Sequence, residues 1–307
     1  MSGQQRIYKQ RIRSTQTLAK VFRAMELIAA SRIGKARTLA QQSGPYDLAL
    51  THAVQALSQH CNFDHPLTRP RTDTNRVAVL VVTSDRGMAG AYSATILRET
   101  EKLLNSLREE GKEPVLFVSG RRAQSYFRFR GRQPEKSWEG QSDNPSFEMI
   151  DDIAQTLLEY FCEEDPAKGV AQVHIVFTRF KTMVTQIPQV HKVLPLEVVS
   201  AEQTKVNDNA DMSTSAHEPT PLYEFEPSAD EVFRVVLPMY VKSRIKNALL
   251  QSAASELANR QRAMHTATDN AEELIRNYTR MANTVRQAEI TQEITEIVSG
   301  ADSLGQN

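Results

Sequence analysis

Two long heptad patterns at opposite ends of the chain limit its fold more than any other feature. Near the N-terminus, apolar residues recur at alternating steps of three and four, and only Arg32 and Ser43 break the apolar rule. The predicted seam positions are Leu18, Phe22, Met25, Ala29, Arg32, Ala36, Leu39, Ser43, Tyr46, Leu50, Ala53 and Leu57. A helix over residues 4–58 would be roughly 80 Å long. We expect Pro45 to kink it.

The C-terminal end repeats this design. Ser228 and Glu231 form a capping-box pattern, and we expect Pro238 to break or bend the first turns. The main helix is then predicted from about Met239 to Ser299, roughly 90 Å. Its predicted seam positions are Leu250, Ala254, Leu257, Met264, Ala267, Ala271, Leu274, Tyr278, Met281, Val285 and Ala288.

Each long helix has only the other as a partner of matching length within the chain. The pattern therefore predicts one intramolecular coiled coil formed by the two ends. An ordinary helical bundle is the alternative that the pattern leaves open.

The middle of the chain is predicted to be an α/β domain. A buried strand at 76–82, an amphipathic helix at 92–111 and a second buried strand at 114–118 form a βαβ unit. Further predicted elements are a helix beginning in "SGRRAQ", a helix at 147–164, and an antiparallel pair of strands at 171–180 and 185–197. Pro188 places the last strand at a sheet edge.

Charge is balanced overall but unevenly distributed. Lys+Arg and Asp+Glu are both 37, yet residues 1–40 hold nine bases and one acid, an excess of +8. Residues 201–231 hold eight acids and one base, an excess of −7. We predict four regions: a helix at 1–60, an α/β domain at 76–200, a flexible acidic linker at 201–227, and a helix at 228–301.

The cysteine and hydropathy patterns point to a reducing compartment. Cys61 and Cys162 are far apart and form no CxxC motif, and no apolar run is long enough to cross a bilayer. The Arg-rich N-terminus lacks the apolar core of a secretory signal and merges into the helical pattern, which argues against its removal. We expect a protein that faces the cytosol.

The stretch "TSDRGMAGAYS" (83–93) raises the question of a nucleotide site, because a strand, a glycine turn and a helix N-terminus can bind an anion. A P-loop needs Lys followed by Ser or Thr, and a dinucleotide fingerprint needs three glycines. Here only Gly87 and Gly90 are present, no Lys follows, and Asp85 adds a negative charge. Arg121 and Arg122 follow the second strand in place of an acid. We interpret the stretch as a structural turn.

Other candidate chemistry is weaker. "HCNFDH" (60–65) has no known metal-ligand spacing and is interpreted as a surface loop, and His174 as a core or sheet-face residue. No Ser/His/Asp set or carboxylate pair is marked by a special turn. The sequence therefore predicts no catalytic, cofactor-binding or metal-binding residue, and no enzyme activity of the chain on its own.

Three motifs in order resemble one known family. "KVFRAMELIAASRIGKAR" (20–37), "QSAASELANRQRAMHTATDNAEELI" (251–275) and "RQAEITQEITEIVSGA" (286–301) resemble the γ subunits of F-type ATP synthases. The turn at 83–93 looks like the family's signature after the first strand, with Gly90-Ala91 where Gly-Gly is common. The resemblance covers nearly the whole chain.

The resemblance implies a fold and a mechanical function. In this family the two ends form an antiparallel coiled coil, and a Rossmann-like domain binds no nucleotide. The coil is the rotor shaft in a ring of α and β subunits, while the domain joins the ε subunit and the membrane ring of c subunits. Proton flow turns the rotor and drives the ATP sites of β, so the chain itself needs no cofactor.

The resemblance also assigns contact residues and a location. Contacts with the α/β ring would come from Lys20, Arg23 and Met25, which face an acidic lever loop of β, and from Arg286, Gln287, Thr291 and Glu293 higher up the shaft. A bacterial chain at the cytoplasmic face of the inner membrane, held there only through the complex, is expected. A coiled-coil nucleic-acid-binding protein and a nucleotide-binding Rossmann enzyme remain as alternatives, the first because of the basic N-terminus.

Overall fold

A computed structural model describes residues 3–60, 66–196, 226 and 228–304. The described residues fall into two compact units, one formed by Met1–Ser31 with Arg260–Asn307 and the other by Arg32–Asn259. Most of the predicted loop at 60–65 and of the predicted acidic linker at 201–227 lies outside the described residues.

Five helices and five strands are described along the chain. The helices are α1 (Gly3–His60), α2 (Tyr92–Glu109), α3 (Arg121–Phe129), α4 (Phe147–Cys162) and α5 (Ala229–Leu304). The strands are β1 (Arg76–Val82), β2 (Glu113–Ser119), β3 (Lys136–Trp138), β4 (Gln172–Phe180) and β5 (Gln186–Leu194). Among these helices none is both long and apolar enough to cross a lipid bilayer.

The α5 helix continues without a break through Pro238. It starts at Ala229, at the beginning of the predicted region 228–301, and since Pro238 does not break it, the expected separate main helix from about Met239 is wrong. The Ser228 hydroxyl accepts a hydrogen bond from the Glu231 backbone N–H at 3.3 Å, which confirms the predicted N-cap. Since buried residues on both sides of the proline pack into the core of the domain, tertiary contacts outweigh the lost helical hydrogen bond.

The sheet has the strand order β3-β2-β1-β4-β5. All neighbouring strands are parallel except β4 and β5, which pair antiparallel as predicted, and Pro188 lies in the edge strand β5. The three-residue strand β3 was not predicted, because a segment this short shows no periodicity. This arrangement confirms the predicted Rossmann-like α/β domain.

Two hydrophobic layers enclose the sheet. Val77, Val79 and Val81 of β1 face the layer that contains α2 and α3. The alternate residues of β1 face α4 and the first turns of α5, from Phe233 to Leu249. Because both faces are covered, β1 is apolar at every position from Val77 to Val82, as is typical of parallel strands.

The α1 and α5 helices also pack on each other within Arg32–Asn259. Ile33 and Ala36 of α1 form an apolar cluster with Ala254, Leu257 and Ala258 of α5. Further along α1, Asp47 contacts Ser243 and Asn247, which precede this cluster on α5, so the helix pair is antiparallel. The predicted pairing of the two ends is therefore confirmed in this unit.

The seam of this helix pair follows a different set of residues from the predicted one. Nine of the predicted positions are buried and therefore correct, namely Ala29, Ala36, Ser43, Leu50, Leu250, Ala254, Leu257, Met264 and Ala271. The predicted positions Leu18, Arg32, Leu39, Tyr46, Leu274, Met281 and Ala288 are wrong, because they are exposed. The residues buried in their neighbourhood are Ile33, Ala40, Asp47, Thr268 and Ala282.

The physical reason lies in adjacent apolar residues. Where Leu39 precedes Ala40, or Met281 precedes Ala282, a heptad can use either residue, and the seam takes the smaller one. Small residues let two helices approach closely, so the larger neighbour remains outside the seam. The predicted burial of Leu274 is also wrong, since the adjacent Ile275 is the less exposed residue there, and Phe22 is only half-buried.

Candidate functional site

The first group of predicted contact residues lies on α1, within Met1–Ser31. Lys20 and Arg23 are exposed and lie about one turn apart, and Met25 is half-buried. Neither Lys20 nor Arg23 makes a hydrogen bond or ion pair with any residue that the structure describes. Their charges are therefore available to a partner.

The acidic residue of this segment faces away from them. Glu26 accepts from His265 Nδ1 of α5 at 3.0 Å, and His265 Nε2 lies 3.7 Å from Asp269. This contact directs the Glu26 carboxylate to the helix pair instead of the outer face of α1. The outer face consequently keeps its positive charge.

The second predicted group lies on the last part of α5. Arg286, Gln287, Thr291 and Glu293 are all exposed. The Thr291 hydroxyl donates to the Gln287 backbone carbonyl at 2.9 Å, so its proton is already used within the helix. Glu293 lies in a stretch that is exposed at every residue from Ile290 to Ser299, and the exposed Arg286 and Gln287 lie just before it.

The two groups lie at different levels of the antiparallel helix pair. Tyr8 near the start of α1 lies beside Tyr278, with 6.4 Å between ring centroids, so α5 beyond this level extends past the start of α1. His265, which marks the level of the first group, is separated from Arg286 by roughly 30 Å of helix. The structure therefore does not bring the two groups together into one site.

Exposed apolar side chains accompany both groups, and the sequence analysis did not predict any of them as contact residues. Near the first group these are Leu18, Val21, Leu27 and Ile28, and near the second group Ile290, Ile294, Ile297 and Val298. Except for Leu18, these residues lie outside the predicted seam, and this position is the signal that could have identified them, because apolar residues on the outer face do not contribute to the packing of a heptad helix pair. Contiguous exposed apolar surface is typical of protein–protein contacts.

The glycine turn at 83–93 connects β1 to α2. Met88 and Gly90 adopt positive φ values of 63° and 57°. The Ser84 and Ser93 hydroxyls lie 2.7 Å apart and close the turn. The turn therefore has the sharp geometry that its glycines predict.

The neighbouring N-terminus of α3 is occupied by the protein's own groups. The N–H groups of its first three residues donate at 3.1 Å to Asp85 Oδ1, the Ser84 carbonyl and Thr83 Oγ1. Asp85 Oδ2 also accepts from the Ser142 N–H at 2.9 Å. The Asp85 carboxylate thus lies where an anionic ligand of such a helix terminus would bind.

Gly120 precedes α3 with a φ of 105°. A Cβ atom at this position would lie 2.3 Å from the Thr83 carbonyl oxygen. The glycine is therefore required by the close approach of two backbones at the carboxyl ends of β1 and β2, and not by a bound phosphate.

A polar cleft of about 470 Å³ lies between α1 and the segment that precedes α4. Its charged lining residues are Arg32, Lys35, Arg86 and Asp143, and Arg32 pairs with Asp143 at 2.7 Å. This ion pair explains why Arg32 is exposed beside the seam and not within it.

His174 of β4 is a sheet residue, as the sequence predicted. Its Nε2 lies 3.1 Å from Gln172 Oε1. Burial, and then the positive charges of Lys192 and Lys112, lower the pKa of His174 from 6.5 to about 4. Within the described ranges no group of three or more His, Cys, Asp or Glu side chains is arranged to hold a metal ion.

Comparison with known proteins identifies the family. A sequence model of the ATP synthase family matches residues 4–304. The ATP synthase gamma chain of Beutenbergia cavernae is 60% identical over 304 residues, which is 99% of each chain, and that of Micrococcus luteus is 51% identical with the same coverage. These chains are related over their full length, and the alternatives of a nucleic-acid-binding protein and a nucleotide-binding enzyme find no support.

Solved structures agree in fold. A chain of the Euglena gracilis mitochondrial ATP synthase, from its OSCP/F1/c-ring assembly, superposes with a TM-score of 0.68 at 15% identity, covering 99% of this chain and 95% of that one. A rotor chain of the same organism gives a TM-score of 0.63 at 13% identity, covering 94% and 100%. The chain therefore belongs to the family of ATP synthase gamma chains, the non-catalytic central-stalk subunits of F-type ATP synthases.

Proposed function

We propose that the outer face of the helix pair formed by α1 and α5 is the surface through which this rotor subunit acts on the catalytic ring. Lys20 and Arg23 contact an acidic lever loop of the β subunit, and Met25 supports that contact from the edge of the seam. The observation that carries this proposal is the outward positive charge of α1, whose acid Glu26 is held against α5.

The charges and apolar groups of this face suit a moving contact. Each exposed ion pair is worth only about 0.2–1 kcal/mol, so no single pair would hold the rotor at one position. Several weak pairs can attract successive β subunits while the shaft turns. The exposed apolar residues Leu27 and Ile28 add contact area without fixed geometry.

Arg286, Gln287, Thr291 and Glu293 form a second contact with the ring, further along α5. This part of α5 extends past the start of α1, and its exposed apolar side chains need a surrounding protein to cover them. Two contacts roughly 30 Å apart on α5 would transmit torque better than one, because they resist tilting of the shaft.

The partners proposed for the chain are the α, β and ε subunits and the c-ring. The α/β ring holds the catalytic sites, and proton-driven rotation of the c-ring reaches those sites through this chain. The assembly places the subunit at the cytoplasmic face of a bacterial inner membrane as a peripheral component.

The test reverses the charge of the first contact. The double variant Lys20→Glu, Arg23→Glu is expected to assemble into the complex, because both side chains lie outside the seam. ATP hydrolysis in membrane vesicles should then drive proton pumping less efficiently, and the ratio of pumping to hydrolysis should fall. The deficit should be largest at low salt, where screening is weakest.

A matched control makes the same change of net charge elsewhere. Arg108→Glu with Lys181→Glu alters two exposed bases of the α/β domain and should leave the ratio unchanged. Arg32 is left out of the test variant, because its ion pair with Asp143 would be broken within the chain. An unchanged ratio in the test variant at both salt levels would exclude Lys20 and Arg23 from coupling.

A further inference from the structure

A second surface, separate in sequence from the residues proposed above, lies between α2 and α3. A groove of about 520 Å³ is formed there by the glycine turn, one face of α2 and one face of α3. Its apolar lining comes from Met88, Ala94, Leu97, Tyr126 and Phe129. We call this surface the α2–α3 groove.

Two of its apolar residues are displayed to solvent. Phe129 is 92% exposed, and Met88 is 49% exposed. Met88 is also the non-glycine residue with a positive φ among the described residues. A methionine in the left-handed region is strained, and such strain is found mainly where a side chain must be held in a particular direction.

The charge of the groove has one sign. Arg86 and Arg122 line it, and no acidic residue does. The α3 helix contributes three arginines and no acid over its nine residues. A partner with carboxylates around an apolar strip would complement both the apolar lining of the groove and its two arginines.

The spacing of the lining residues fits a helical partner. Arg122, Tyr126 and Phe129 lie at i, i+4 and i+7 on α3, while Ser93 and Leu97 lie at i and i+4 on α2. Two facing helical ridges make a trough that accepts the apolar face of a third helix.

We propose that the α2–α3 groove docks an acidic amphipathic helix of another subunit of the ATP synthase complex. Apolar residues of that helix, spaced three and four apart, contact Met88, Leu97 and Phe129. Its Asp and Glu side chains pair with Arg86 and Arg122. The proposal shares no residue with the shaft contacts and stands or falls separately from them.

The experiment places a photocrosslinker in the intact complex. Phe129 is replaced by p-benzoylphenylalanine, the assembled complex is irradiated, and the crosslinked segment is mapped by mass spectrometry. Phe147, at the start of α4, is the matched control, because it is also an exposed phenylalanine but lies outside the groove. We expect the probe at position 129, and not that at 147, to capture a segment of another subunit with Asp or Glu around apolar residues at helical spacing.

Two further variants test the chemistry of the capture. Arg122→Glu should lower the yield at position 129 at least fivefold, and raising the salt concentration should lower it in the unmodified chain. Met88→Gly should lower the yield while leaving urea stability equal or higher, because glycine accepts the positive φ.

Several results would overturn the proposal. These are a yield at position 129 no higher than at 147, capture of a neutral or basic segment, and a yield insensitive to Arg122→Glu. Capture of residues 201–231 of the same chain would also overturn it, because the groove would then be occupied by the chain's own acidic segment.

Discussion

Asp47 of α1 connects the two helices of Arg32–Asn259 through polar contacts with three residues of α5. Asp47 is only 7% exposed. Oδ1 accepts from the Ser243 hydroxyl at 3.0 Å, and Oδ2 accepts from Asn247 Nδ2 at 3.2 Å and lies 3.5 Å from an Arg244 guanidinium nitrogen. A buried acid at a seam position fixes the register of the two helices.

Asp47→Ala removes the carboxylate that interacts with Ser243, Asn247 and Arg244. Leaving a buried neutral donor unsatisfied costs about 1–3 kcal/mol, and the half-exposed Arg244 adds at most about 1 kcal/mol because water can replace the carboxylate. The Ser243 hydroxyl can turn to another acceptor, which lowers its share. We therefore expect the free energy of unfolding to fall by about 2–4 kcal/mol.

Asp47→Asn separates the hydrogen bonds from the charge. The amide oxygen still accepts, and the amide nitrogen can donate to the Ser243 oxygen, so the loss should be about 1 kcal/mol or less. Ser43→Ala is the matched control on the same seam. Ser43 is buried too, but its hydroxyl donates only to the Ala40 carbonyl of its own helix, and its loss should cost less than about 1 kcal/mol.

Urea titration of the full chain measures these differences. Trp138 is the single tryptophan, and it is buried in the same compact unit, so its fluorescence follows the unfolding of that unit. If Asp47→Ala is no more destabilising than Ser43→Ala, or if Asp47→Asn costs as much as Asp47→Ala, the contact does not act through hydrogen bonds.

Three further predictions use the α/β domain. Gly120→Ala should destabilise it by at least about 3 kcal/mol in urea, since the new Cβ meets a backbone carbonyl, whereas Gly131→Ala, with a φ of 70° and open space, should cost only about 1–2 kcal/mol. His174 has a folded pKa of about 4, below its ordinary value of 6.5, so stability should be highest above pH 6.5 and fall by up to roughly 3 kcal/mol towards pH 4. His174→Gln should remove most of that loss and the exposed His191→Gln should not, which urea titration at several pH values decides. Isothermal titration of the purified chain with ATP and with NAD should give no binding heat, because the N-terminus of α3 is occupied by internal acceptors, and micromolar affinity would contradict this.

The sequence predicted the α/β domain well because its signals are local. The uninterrupted apolar run of β1, the amphipathic pattern of α2 and the proline of β5 each follow from side chains next to one another. It missed β3, which exists only because it extends the edge of β2. It also predicted a break at Pro238 that is absent from α5, because the packing that offsets this proline comes from residues distant in sequence.

The contact residues were assigned through resemblance, and the structure adds what resemblance did not supply. Exposure of Lys20 and Arg23 followed from the heptad, since both positions are outside either version of the seam. The role of Glu26 did not follow, because its partner His265 lies on the other helix. Likewise, the internal bonds of Asp85 depend on a loop more than fifty residues away.

The observed seam, which takes smaller residues than predicted, explains how the helices can pair with each other and still display large apolar side chains on their outer face. An Ala side chain has three fewer carbon atoms than Leu. A buried Ala at a seam position therefore contributes about 2 kcal/mol less hydrophobic stabilisation than a buried Leu. Ala40 and Ala282 are buried in the seam and contribute this smaller stabilisation, whereas their neighbours Leu39 and Met281 are exposed. A helix pair built in this way is held more weakly by its own seam and carries its larger apolar side chains where only another subunit can bury them. Its stability should therefore increase on assembly, since burial of those side chains is a gain that the isolated chain cannot make.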